Sequence, residues 1–201
     1  MTRAVAILVF DEVEILDACG PFEVFSVASR VAGAGAPGRA ALYSVTCVSV
    51  DGQLVRARGG LRIGADAALA DAAVPDIALV PGGVTAAVER HPRVLDWVQR
   101  VAPVADRVLS VCTGAFVLAE AGLLDGLEVT THWEDQAELA ERFPRLHVVD
   151  GPRFVVHDRI ATSAGVSAGI DLALHIVELE QGVDLARATA RQMDYPWASG
   201  V

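Results

Sequence analysis

The feature that most constrains the fold is the stretch R-V-L-S-V-C-T-G-A-F-V-L-A-E-A-G-L-L, from Arg107 to Leu124. Val108 to Cys112, apolar around a single Ser110, reads as a short strand buried on both faces. Beyond Thr113-Gly114 the apolar spacing changes. Ala115, Phe116, Leu118, Ala119, Gly122 and Leu123 fit a helix, which Asp125-Gly126 ends. A cysteine therefore stands at the turn where a buried strand feeds a helix. A sharp turn there, with Gly114 allowing close backbone approach, pushes a side chain out of the top of a sheet. Unpaired N–H groups at the helix N-terminus favour thiolate over thiol, and the thiolate is the reactive form. Cys112 is thus the candidate nucleophile, although a lone cysteine in an apolar run is more often a small core hydrophobe. Cys47, in the alternating Y-S-V-T-C-V-S-V, reads as such a packing residue.

The rest of the chain alternates in the same way. Ala4 to Phe10 is a continuous apolar run suited to a central parallel strand. D-E-V-E-I-L-D-A-C-G-P follows as a loop, and Pro21 is expected to open a helix at its preferred first position. G-A-G-A-P-G, residues 33 to 38, reads as a flexible connection. Further strands are expected at Leu42–Val50, in short pieces between Leu54 and Ile63, and at Asp76–Val80, Glu128–Thr131 and Arg159–Thr162. Leu146–Asp150 and Phe154–His157 read as a hairpin or pair. Helices are expected at Asp66–Ala72, Thr85–Ala102 with a break at His91-Pro92, Trp133–Arg142, Ser167–Gln181 and Asp184–Met193. This alternation over 201 residues implies one doubly wound α/β domain, residues 1–201, with a mostly parallel sheet and helices on both faces. The 53% of hydrophobic residues is ample for its core. In such folds ligands bind outside the carboxyl ends of the strands.

Charge and missing motifs narrow the function. A net charge of −10 with no clustered basic surface argues against a nucleic-acid partner. The N-terminal apolar run, about seven residues before Asp11, lacks a cleavage site and is too short to cross a bilayer. Three widely spaced cysteines without a C-x-x-C pair suit a reducing cytosol, so the expected location is cytoplasmic. No phosphate-binding glycine loop, H-E-x-x-H or Cys/His cluster occurs, so no nucleotide, metal or other cofactor is expected.

Candidates to serve Cys112 come from the ends of the expected strands. Asp17, in the loop after the first strand, would share a proton with the thiol or relay one to substrate; the alternative is a turn or capping aspartate. Gly82 and Gly83 would aim backbone N–H groups at a substrate oxyanion together with the N–H of Thr113; the alternative is an ordinary tight turn. Thr113 would also donate its hydroxyl or cap the helix. His132, in T-T-H-W, is a possible base or a structural histidine. His91, His147, His157 and His175 have nothing nearby in sequence to mark them as ligands.

Asp17 followed by Gly-Pro, the P-G-G at 81–83, V-C-T-G-A with A-G-L-L-D-G behind it, T-T-H-W and the closing A-R-Q-M-D-Y-P-W together resemble the ThiJ/PfpI family. The resemblance implies the class I glutamine amidotransferase-like, flavodoxin-like sandwich. It points to the branch holding isonitrile hydratase and the N-terminal domains of AraC-type regulators. Carried over by position, Cys112 matches the family's elbow cysteine and Asp17 the acid that faces it. Gly83 and Thr113 match the usual oxyanion donors. Protease-like and glyoxalase-like branches place His after the cysteine, where this chain has Thr113. Glutaminases carry H-x-E where it has T-S-A-G-V-S-A. The implied function is hydration of an isonitrile to an N-substituted formamide, in a small-molecule enzyme that is a homodimer. The alternatives are a ligand-sensing domain without chemistry, or a redox protein in which Cys112 is oxidised and Cys19 resolves it.

Overall fold

In the computed structural model, which describes residues 1–34, 38 and 40–198, the apolar runs assemble into one central sheet. In chain order its parts are β1 (Arg3–Leu8), α1 (Ile15–Gly33), β2 (Tyr43–Ser49), β3 (Val55–Arg56), β4 (Arg62–Ile63), β5 (Ala67–Ala68) and β6 (Ile77–Val80). There follow α2 (Pro92–Val101), β7 (Arg107–Val111), α3 (Gly114–Glu120), β8 (Glu128–Val129), α4 (Gln136–Arg142) and β9 (His147–Val148). The last are β10 (Phe154–His157), β11 (Ile160–Ser163), α5 (Ala168–Gln181) and α6 (Val183–Gln192). The sheet runs β10-β11-β7-β6-β1-β2-β5, and only β10 is antiparallel to its neighbour. Its central strands are mostly apolar because both faces are covered: α1, α5 and α6 pack together on one, α2 and α3 on the other.

From β1 the chain goes to one side of the sheet, and from β6 it returns to the other. The connections therefore diverge between these two strands. A crevice opens there at the carboxyl ends, which is where doubly wound folds bind ligands.

Three local expectations fail for tertiary reasons. Pro21 does not open α1 but lies inside it. The missing N–H removes one helical bond, while the ring packs beside Gly169 of α5, close to the place where Gly20 meets Ile170. Residues 66–72, helical by composition, instead supply β5: Ala67 and Ala68 pair with Val48 and Ser49 at the sheet edge. The Asp66 carboxylate accepts the Cys47 N–H, which pins the register. The expected pairing of 146–150 with 154–157 is also replaced. β9 pairs parallel with β8, whereas β10 forms its hairpin with β11. Residues 35–37 of the expected flexible connection lie outside the described residues.

Candidate active site

Cys112 follows the last residue of β7 and adopts φ 56°, a conformation that costs a non-glycine residue about 1–3 kcal/mol. Its surroundings hold it there. The Cys112 N–H is shared between the carbonyls of Ser163 (3.1 Å) and Ala164 (3.2 Å), and its own carbonyl accepts the Thr131 hydroxyl at 2.7 Å. Gly114 is required two residues on, because a Cβ there would stand 2.1 Å from the Val80 carbonyl oxygen. The result is the strained elbow read from the sequence. The residue is 7% exposed, and backbone N–H groups of Thr113 and Val166 meet its sulfur.

Opposite the thiol stands Asp17, wholly buried in the first turn of α1. Its Oδ2 accepts the Gly82 N–H at 3.0 Å, and its carboxyl faces the Cys112 side chain closely enough for each group to shift the other's titration. Oδ1 is buried with no partner among the described residues. Burial pushes the Asp17 carboxyl up to about 7 and the Glu14 charge adds to the rise, while Gly82, Cys112 and Arg58 oppose it. Burial pushes the Cys112 thiol up to about 12; the charges of Asp17 and Asp135 push the same way, and the two N–H groups pull it down. The expectation that the helix N-terminus leaves Cys112 as free thiolate is therefore corrected: desolvation and the facing carboxylate outweigh two backbone dipoles. What the arrangement offers is a thiol and a carboxyl holding a proton between them, the acid titrating near neutrality.

Gly82, Gly83 and Thr113 converge on this pair, but not in the roles expected of them. The Gly82 N–H is engaged by Asp17, and the Gly83 N–H donates to the Thr113 hydroxyl at 2.9 Å. That hydroxyl in turn donates to the Gly83 carbonyl at 3.0 Å, so it caps no helix. Both glycine N–H groups of the expected oxyanion hole are thus spoken for, which leaves Thr113 and Val166 as the N–H groups facing the sulfur. Gly83 has φ 136°, and a Cβ there would lie 2.2 Å from the Glu12 carbonyl oxygen. The glycines let the loop after β6 pair with the loop after β1, through the Val13–Gly83 bridge.

His132 lies beside the site without joining the pair. Its Nδ1 is 3.3 Å from the Asp135 carboxylate, and its ring packs on Gly165. It lines a cleft of about 350 Å³ with Thr131, Trp133, Arg153, Gly165 and Val166. A larger apolar cavity of about 510 Å³ sits at the opposite pole, beside Val108 and Ile160 at the amino ends of β7 and β11. It contains neither Cys112 nor Asp17. Cys19, two residues after Asp17, comes out exposed on another face of α1, and the thiol it influences is Cys47 on β2. A residue offset of two turns a helical side chain about 200° away, which removes Cys19 as a neighbour of Cys112. Among the described residues no group of three or more His, Cys, Asp or Glu side chains gathers that could hold a metal ion.

The sequence marks Thr131, Ala164 and Val166 only as members of T-T-H-W and T-S-A-G-V-S-A, with no role of their own. Val166 also adopts a left-handed conformation, with φ 48°. A β-branched residue gives no local sign of such a turn; only its place between a strand end and a helix start hints at it.

Comparison with known proteins identifies the family of the fold. The family model described as DJ-1/PfpI matches residues 3–179. Isonitrile hydratase of Pseudomonas putida is 32% identical over 206 residues, covering 100% of this chain and 83% of that protein. The HTH-type transcriptional regulator GbdR of Pseudomonas aeruginosa is 31% identical over 193 residues, covering 96% of this chain; the chain spans only 51% of that regulator's length. Among solved structures, a ThiJ/PfpI family protein from Pseudomonas syringae superposes with a TM-score of 0.85 at 24% identity, covering 100% of this chain and 78% of that one. No helix among the described residues is long and apolar enough to cross a membrane. With the strained cysteine elbow, the doubly wound sheet and a family match over most of its length, the chain belongs to the DJ-1/PfpI family.

Proposed function

We propose that the protein is a cysteine-dependent hydratase of small electrophiles, of the isonitrile hydratase type. The observation that carries this reading is the wholly buried Asp17 carboxyl facing and electrostatically coupled to the Cys112 thiol, with no histidine next to the cysteine. In the first step the Cys112 thiol gives its proton to the Asp17 carboxylate as the sulfur bonds to the terminal carbon of R–N≡C, and Asp17 hands that proton to the carbon, giving the thioimidate R–N=CH–S–Cys112. Asp17 then takes a proton from water as the water oxygen adds to the same carbon, and passes it to the nitrogen. The C–S bond breaks as the adduct hydroxyl becomes the formyl C=O, its proton returns through Asp17 to the sulfur, and R–NH–CHO leaves. Water and isonitrile are consumed one for one. The test is formamide production from an alkyl isonitrile by the purified chain. Cys112→Ala and Asp17→Asn should each abolish it, and activity retained in both would overturn the mechanism.

A second reading, a ligand-binding domain that runs no chemistry, is supported by the similar identity to a transcriptional regulator. It expects ligand binding that survives Cys112→Ala and no turnover by the unmodified chain.

A further inference from the structure

The geometry points to Arg153 as a positioning residue for Cys112: its ion pair with Asp171 fixes the loop that holds the Val166 N–H against the sulfur. This deepens the proposed function and rests on Cys112 being its reactive group. The loop 164–166 leaves β11 and enters α5 almost at once. Two of its backbone groups address the cysteine, since the Ala164 carbonyl accepts the Cys112 N–H and the Val166 N–H meets the sulfur. Its left-handed Val166 is unfavourable for a β-branched side chain and persists only where neighbours impose it.

Arg153 grips this loop from both ends. Its carbonyl accepts the Ala164 N–H at 2.8 Å. Its guanidinium donates through Nη2 to the Ser167 hydroxyl at 3.0 Å, the residue directly after Val166, and through Nε to Asp171 Oδ2 at 2.5 Å. Asp171 lies in the first turn of α5 with 13% of its side chain exposed, so the acid is shielded while the Arg153 side chain, 44% exposed, reaches it from the surface. Behind it the Tyr195 hydroxyl reaches both Asp171 oxygens, at 3.2 and 3.1 Å. The closing Y-P-W stretch thereby acquires a task, which is to back the arginine strut.

The readout is the pH profile of Cys112 alkylation by iodoacetamide on the full chain, followed peptide by peptide so that Cys19 and Cys47 serve as controls. The titratable groups facing Cys112 are Asp17 from α1, with Glu14 and Arg58 behind it, and Asp135 with His132 ahead of α4. None of these is altered in the variants. A hydrogen bond to a charged group is worth enough that its loss should slow Cys112 alkylation about tenfold at neutral pH and move the profile to higher pH. Arg153→Gln and Asp171→Asn should both do this, Tyr195→Phe should do it more weakly, and Arg153→Lys should recover part of the rate. Val166→Gly, which keeps the N–H and relieves the backbone strain, should leave the profile in place.

An unmoved profile in Arg153→Gln would overturn the positioning role while leaving Cys112 as the nucleophile. All three cysteines speeding up together would overturn it as well, by making the arginine a general stabiliser. A wild-type Cys112 that is silent until the chain unfolds would instead remove the proposed function itself.

Discussion

Asp17 places a carboxyl where water does not reach, and its effect on stability has a definite sign. Its pKa rises from an ordinary 3.8 to about 7 in the folded chain, chiefly through burial. A raised acid binds its proton more tightly folded than unfolded. The stabilisation is therefore complete below about pH 4 and is lost as pH rises through about 7, on the order of 4 kcal/mol in all. Asp17→Asn keeps an acceptor for the Gly82 N–H and removes the titration. Thermal unfolding of this variant should show no such decline between those pH values, and above pH 7 it should unfold at a higher temperature than the wild type. The same substitution removes a charge that pushes the Cys112 thiol up. Alkylation of Cys112 at mildly alkaline pH should accelerate even as turnover is lost, separating the nucleophilicity of the thiol from its use. Cys112 and Asp17 could be found in the sequence because their types and turn contexts carry chemistry. The partners that define their state could not. Val166 looks like any core valine, and the engagement of both glycine N–H groups depends on a loop pairing across some 70 residues, Val13 to Gly83.

At the scale of elements, strands and long helices were legible because apolar period and length decide them, as at β7 and α5. The misses fall where a weak local preference met a tertiary one. Ala67 and Ala68 favour a helix intrinsically, yet a free edge of β2 recruits them. The short α4 is held mainly from outside. Arg142, near its end, pairs with Glu89, Glu120 and Glu138 and covers the rings of Phe116 and Phe143. This cluster ties α4 to α3, the helix that follows Cys112. Glu89 is 7% exposed, so removing its cation strands a buried charge. Arg142→Ala should cost about 2–4 kcal/mol in urea unfolding, and adding Glu89→Leu should return most of it. A cost below about 1 kcal/mol would make the cluster an ordinary surface network.

Across the whole molecule, chemistry and reinforcement occupy opposite poles of the sheet. Asp17, Gly82, Cys112 and Val166 gather at the carboxyl ends, where strand connections diverge and backbone strain is concentrated. At the amino ends Glu180, close to the end of α5, accepts from Arg3 of β1 and Arg107 of β7 and from the hydroxyl of Tyr43 on β2. Arg3 also bridges to Asp76 and Asp106. One carboxylate thus joins three strands to the helix that carries Asp171 at its other end. Only 11% of its side chain is exposed, so it is shielded from solvent, and without it Arg3 and Arg107 would face each other as like charges. Because α5 is a continuous helix from Ala168 to Gln181, the two poles are mechanically linked but electrostatically far apart, about 20 Å along its axis. Glu180→Gln should therefore lower the thermal midpoint by several degrees for a loss of about 1–2 kcal/mol, with the pH profile of Cys112 alkylation unchanged. A profile that shifts with Glu180 would mean that α5 transmits position from its far end into the loop 164–166. The cysteine would then report on the integrity of the whole sheet and not on its own neighbourhood.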